Sequence, residues 1–251
     1  MSDEHPLAPC PDFDLAELQG YDPTLLLGGK DSADSLVLVL AMAFNDLKGM
    51  MWVGEQLKKC KPAEAAVDAR VGQWAGMNSQ NKRLLTGILF ELIVAMESAD
   101  KKGLLDDPAV TSAVDAAGQS AKGAWGLLVA AARGKDGSGE MKEFISAVRN
   151  RSAFHYDRTL LSDGYRKKFS SDPKTALNEK AYCSVGTTME QTRWHFVDAA
   201  SQAVQEILDP NGSAFAEANE HFKAMNVALK HIVENYMDQK AATAEAKAKA
   251  M

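Results

Sequence analysis

The sequence predicts an all-α helical bundle, with one short hairpin near 180–188 as its extended element. Alanine is abundant, and the long segments repeat their apolar residues at spacings of three and four, the period of one helix face. Glycine and proline gather between those segments, where they end elements.

Residues 1–33 carry turn residues at Gly20, Pro23, Gly28 and Gly29 and read as an N-terminal extension. A single helical domain follows over 34–240, then a low-complexity tail over 241–251, expected to be frayed or disordered. The first helix covers 34–59, with Leu36, Leu38, Leu40, Met42, Phe44, Leu47, Met51 and Val53. Its start alternates like a strand, but its length and the absence of a turn residue before Gly49 favour a helix. Ser32 or Asp34 suits its N-cap. Residues 63–100 form one long helix or two, the division in the second case falling near "GMNSQNKR" (76–83); Leu84, Leu85, Ile88, Leu89, Leu92, Ile93 and Met96 share a face. Asp106 or Asp107 before Pro108 opens a helix running toward Ala132, with proline at the favoured first position. "RGKDGSG" (133–139) is a loop. Residues 140–163 hold no glycine or proline and predict one helix between Gly139 and Gly164. The stretch 170–188 is irregular, with the hairpin at "AYCSVG", and helices follow over 189–208 and 214–239.

Composition limits the function. Of 251 residues, 46% are apolar and 25% charged, and the net charge is −6. Such a chain is not built to coat nucleic acid, so any polyanion site must be local. The longest apolar run, "LVLVLAMAF" (36–44), is too short to span a bilayer, and the start lacks the basic and apolar regions of a secretory signal. No membrane partner is expected. Cys10, Cys60 and Cys183 are scattered without a CxxC pair, which fits a reducing, cytoplasmic location. His221 and His231 stand about 80° out of register on a helix, and no HExxH occurs. No metal and no cofactor are expected. "GGKDS" (28–32) lacks the earlier glycine and the following Ser or Thr of a phosphate-binding loop. In "RWHF" (193–196), Arg193, Trp194 and His195 read as an aromatic core anchor with a polar rim.

"AVRNRSAFHYDRT" (147–159) is the exception to this plain composition. On a continuous helix, Met141, Ile145, Val148, Ser152, His155 and Thr159 fall within about 40° of one line. His155 then points inward, and Arg149 and Arg151 flank it at about 80° on either side. Phe154 falls on the outer face, which suggests a second packing surface against a partner chain. From 149 to 168 the chain is net +4, with six basic residues against Asp157 and Asp163. A positive island on an acidic protein suits a polyanion. The same pattern also fits a core histidine satisfied by hydrogen bonds, with arginines paired to acids of other helices.

"RNRSAFH" (149–155) resembles the signature of the HEPN superfamily, an arginine followed after four to six residues by a histidine, with asparagine commonly next to the arginine. Arg149, Asn150 and His155 match, with five residues between Arg149 and His155. In HEPN toxins whose tyrosine is AMPylated, that tyrosine stands two residues after the histidine. Here Asp157 holds that place and Tyr156 comes directly after His155, a departure from that regulatory type.

The resemblance implies a HEPN-like helical bundle and metal-independent cleavage of RNA, in which the 2′-hydroxyl attacks the adjacent phosphate. Arg149, Asn150 and His155 would be catalytic. Arg151, Tyr156 and Arg158 are candidates for holding substrate. Histidine, with an unperturbed pKa of about 6.5, suits proton transfer near neutrality. A planar guanidinium suits the charge that builds on the phosphorane. Arg149 and His155 lie about 9 Å apart along a straight helix and about 120° around it. They meet on one phosphate only if the helix is distorted or if two copies bring their motifs together. A homodimer is therefore expected, with RNA or a nucleotide as partner and a role in toxin, stress or phage-defence systems. The alternative is a non-catalytic HEPN-like module that binds a nucleotide or a protein.

Overall fold

The structure, a computed structural model, describes residues 20–62, 69–134, 139–149, 157–169, 181–185, 187–188, 192–211 and 213–250. Eight α-helices occur among them: α1 (Ala33–Lys59), α2 (Ala69–Asp100), α3 (Pro108–Ala116), α4 (Gln119–Arg133), α5 (Gly139–Val148), α6 (Arg158–Phe169), α7 (His195–Leu208) and α8 (Ser213–Ala250). The fold is all-α, and no strand forms among the described residues. The expected hairpin reduces to a single antiparallel bridge between Ser184 and Arg193.

α1 begins where its sequence signals place it. Asp34 lies in its first turn and Lys58 and Lys59 in its last, each sign matched to the helix dipole. Leu36, Val37, Leu40, Ala43 and Leu47 are buried, so the strand-like alternation is overridden by the helical period. Leu38 and Met42 face outward instead. By length and composition alone, α1 is the one helix among the described residues able to cross a membrane.

α2 runs unbroken through "GMNSQNKR", the one-helix case of the two that the sequence left open. Gly76 and Ser79 are buried there because α7 and the residue Arg193 before it pack across them, and Asn81 is buried toward Gly54 of α1. Gln205 of α7 donates to Ser79 Oγ at 3.0 Å, so polar groups that could have broken the helix are used between helices. The helix expected from Pro108 to Ala132 is two. Asp107 caps α3 through Ala109 N at 2.8 Å, and Gly118, at φ +85°, turns the chain into α4. That backbone conformation is open mainly to glycine.

The main core is shared by α1, α2, α3, α4, α5 and α8, with Leu40, Leu89, Met96, Leu128, Ile145, Met225 and Ile232 fully buried. α8 extends as helix to Ala250, and the tail expected to fray carries exposed helical residues. α6 and α7 form a second layer against α2, burying Ala200, Ala203 and Val204. Their close contact is at Gly164. A Cβ there would press on the Ala200 carbonyl oxygen and lie 2.7 Å from Val204 Cγ2. Gly→Ala inside a helix ordinarily gains about 1 kcal/mol, whereas overpacking against backbone costs about 1–3 kcal/mol. The Ala200 carbonyl cannot rotate aside as a side chain can. Gly164→Ala is therefore expected to lower stability in urea denaturation; a gain near 1 kcal/mol would show the two helices to be loosely apposed.

A buried polar cluster ties α1 to α8. Asp34 Oδ1 accepts from Tyr236 Oη at 2.6 Å and from Lys240 Nζ at 2.9 Å. Asp34 Oδ2 accepts from Gly28 N at 2.9 Å. Burial alone would push the Asp34 carboxyl up, but the Tyr236, Lys240 and Gly28 donors together hold it below its usual range. Tyr236 moves the other way: burial first, then its bond to Asp34, raises the phenol far above its ordinary value. The signs set two pH windows. Asp34 contributes stability above its unfolded pKa of about 3.9, and this is lost as pH falls through the depressed native value. Tyr236 contributes stability below its unfolded pKa of about 10, and this is lost as pH rises, because the unfolded phenol ionises first. Thermal melts across the alkaline range should show a steeper decline in the native chain than in Tyr236→Phe. Parallel declines would mean that Tyr236 is not held neutral.

Candidate functional site

Arg149 directly follows α5, whose Ile145 and Val148 are fully buried. That anchoring sets Arg149 against α2. Its guanidinium donates to Glu91 Oε1 at 2.9 Å and lies 4.9 Å from the centre of the Phe90 ring. Glu91, the lone charge inside the apolar stretch 84–96, is thereby explained: it points outward, 56% exposed, to meet Arg149, itself 25% exposed. A solvent-facing pair of this kind is worth up to about 1 kcal/mol, and the ring contact adds about 0.5–1 kcal/mol. These contacts orient Arg149. A phosphate can accept two charge-assisted bonds from one guanidinium.

The single helix expected over 140–163 does not exist. Asp157 is non-helical and caps α6, its Oδ1 accepting from Thr159 N at 2.9 Å and Leu160 N at 3.1 Å. The inward stripe holds for Ile145 and Val148 and fails at Thr159, which is exposed. The side chain of Asp157 supplies the acceptor that starts a new helix, which its place in a run without glycine or proline concealed. Arg158, the first residue of α6, is exposed. Asn150, Arg151, His155 and Tyr156, with Phe154, lie outside the described residues. Of the expected site, the structure places Arg149 and Arg158, at the two ends of the interval that holds the motif.

A second constellation surrounds the start of α7. Ser184 Oγ and His195 Nε2 are 2.5 Å apart. Arg193 forms a two-pronged bond to Asp198, at 2.6 and 3.1 Å. Both groups rest on glycines of α2, one turn apart. A Cβ at Gly72 would lie 2.5 Å from His195 Nδ1, and one at Gly76 would strike the Arg193–Asp198 pair. The reading of "RWHF" is therefore inverted: Arg193 and His195 turn inward, and Trp194 is 55% exposed. His195 Nδ1 is buried without a hydrogen-bond partner among the described residues. The neutral tautomer with its proton on Nε2 gives that N–H an acceptor in Ser184. With the proton on Nδ1 instead, the serine would donate to Nε2; among the described residues no carboxylate orients the ring from behind as a catalytic triad requires. The pair fastens the 181–195 segment to α2.

Beside it lies an aromatic row that the sequence reading did not single out. Phe169, Tyr165, Phe196 and Trp194 follow one another at ring-centre distances of 4.7, 6.3 and 5.9 Å. The available signal was Tyr165 and Phe169, four apart on a helix that also carries Arg166, Lys167 and Lys168. No group of three or more His, Cys, Asp or Glu side chains suited to a metal ion occurs among the described residues. Comparison with family models, with curated proteins and with solved structures returns no match to this chain.

Proposed function

We propose that this protein is a HEPN-like, metal-independent endoribonuclease, with Arg149 stabilising charge on the phosphorane and His155 moving a proton. Asn150 belongs to the same motif, and Arg151, Tyr156 and Arg158 hold the RNA. The observation that supports this best is the seat of Arg149. It is oriented by Phe90 and Glu91 directly after α5, and a guanidinium can give a phosphate two charge-assisted bonds. Asp157 caps α6 just after the motif, which places Arg158 at the start of a helix whose basic residues would lie beside the same RNA. A homodimer that joins two motifs in one cleft, a cytoplasmic location and a role in toxin, stress or defence systems are parts of the same proposal.

The second reading, a non-catalytic HEPN-like module for a nucleotide or protein, is favoured by one observation: Arg149 already has a carboxylate partner in Glu91. Cleavage of single-stranded RNA in EDTA separates the two. Under the first reading the native chain cleaves, and His155→Ala and Arg149→Ala do not. Under the second, all three leave the RNA intact.

A further inference from the structure

We propose that the outer face of α6, together with Trp194, is a binding surface for single-stranded nucleic acid. This goes beyond the ribonuclease reading and stands whether or not the motif cleaves. On α6, Arg158, Ser162, Tyr165 and Phe169 fall along one line at helical spacings, with Arg166 beside them. The line is about 16 Å long, room for a few nucleotides. Tyr165 is 40% exposed, and Trp194 is the most exposed tryptophan among the described residues. Both rings are braced edge-on by Phe196, at 6.3 and 5.9 Å. Rings held in place lose little freedom when a base stacks on them, and stacking is indifferent to which base arrives.

Charge complementarity selects the occupant. α6 carries Arg158, Arg166, Lys167 and Lys168 against one acid, Asp163, on a chain of net charge −6. Asp163 lies 3.8 Å from Arg166, and Glu206 of α7 lies 3.5 Å from Lys167. Both are solvent-facing pairs that a polyphosphate backbone can outcompete. Cations interleaved with exposed rings are the arrangement that grips a single strand, the phosphates held by charge and the bases by stacking. A lipid surface fits less well. The exposed line offers two rings among two arginines and a serine, with no aliphatic residue to enter the acyl region.

The test is fluorescence anisotropy with labelled oligonucleotides of about 12 nucleotides. Single-stranded DNA is used because it has no 2′-hydroxyl to react, and single-stranded RNA is used with His155→Ala. The expected result is salt-dependent binding of both, with weaker binding of duplex DNA. Tyr165→Ala and Trp194→Ala should each weaken it about tenfold. Arg158→Ala with Arg166→Ala should flatten the dependence of log K on log salt by about two. Lys122→Ala, on α4 and paired with Asp115, should change nothing. Quenching of tryptophan emission by the oligonucleotide needs no substitution and is expected in the native chain. The proposal is overturned by duplex bound as tightly as single strand, by unaltered binding in folded Tyr165→Ala and Trp194→Ala, by absence of quenching, or by binding only to phosphatidylserine vesicles. Binding without cleavage removes the ribonuclease reading and leaves this surface; cleavage with unaltered binding in the ring variants does the reverse.

Discussion

Asp34→Ala is expected to lower the free energy of unfolding by about 3–4 kcal/mol, the largest stability effect of any single substitution considered. Asp34 is 3% exposed and its carboxylate receives three donors from two parts of the chain: Gly28 before α1, and Tyr236 and Lys240 on α8. Removing it leaves the buried Tyr236 hydroxyl without its acceptor and Lys240 with a buried neighbour missing. The lysine is partly exposed, 35%, and can turn to water, which keeps the loss toward the lower end of the range for broken buried pairs. Asp34 also sits in the first turn of α1, where a negative charge is favoured. Tyr236→Phe removes one donor and should cost about 1.5 kcal/mol. In the double variant the two losses should fall short of their sum, because both delete the same bond. Urea melts of the four proteins make this cycle; strict additivity would mean that the 2.6 Å contact contributes nothing.

How much of this was legible in sequence varies by element, for physical reasons. α1 was readable to its ends because most signals agreed against the strand-like alternation at its start: Ser32 before it, an acid in the first turn, lysines in the last and length without an early turn residue. α2 was left open because its small and polar residues, Gly76, Ser79 and Asn81, resemble a break. What keeps them helical is packing from elsewhere in the chain: Gln205 and Asp198 of α7 and Arg193 just before it meet Ser79 and Gly76, and Asn81 lies against Gly54 of α1. The division between α5 and α6 was present as a lone signal, Asp157, and the absence of glycine and proline outweighed it. At "RWHF" no periodic pattern exists before α7 begins, so nothing local says which side chain turns inward. The glycines that receive Arg193 and His195 are on α2. Of the candidate site, the motif was visible as a string of residue types. The partners of Arg149, Glu91 and Phe90, were not, since charge pairs across helices leave no spacing rule. The aromatic row was missed for the same reason: its four rings come from α6 and from the start of α7.

The largest functional effects are expected at the motif. His155→Ala should lower RNA cleavage by about 10²- to 10⁴-fold, the usual worth of a positioned proton-transfer group. Arg149→Ala should lower it by about 10²- to 10³-fold, as for the loss of a group that stabilises charge in the transition state. Arg149 also touches Glu91 and Phe90, so a loss of activity could follow from disturbed packing. Arg149→Lys separates the roles. It keeps the charge and much of the stem but loses the planar fork, so it should stay as stable as the native chain and still cleave slowly. If the site is composite, mixing His155→Ala with Arg149→Ala protomers restores part of the activity, because a mixed dimer holds one intact cleft.

The most direct measurement is cleavage of a single-stranded RNA by the purified full chain in EDTA, compared with His155→Ala at equal concentration. Products ending in 2′,3′-cyclic phosphate are expected from the native chain alone. Intact RNA with both proteins, or equal cleavage by both, would contradict it.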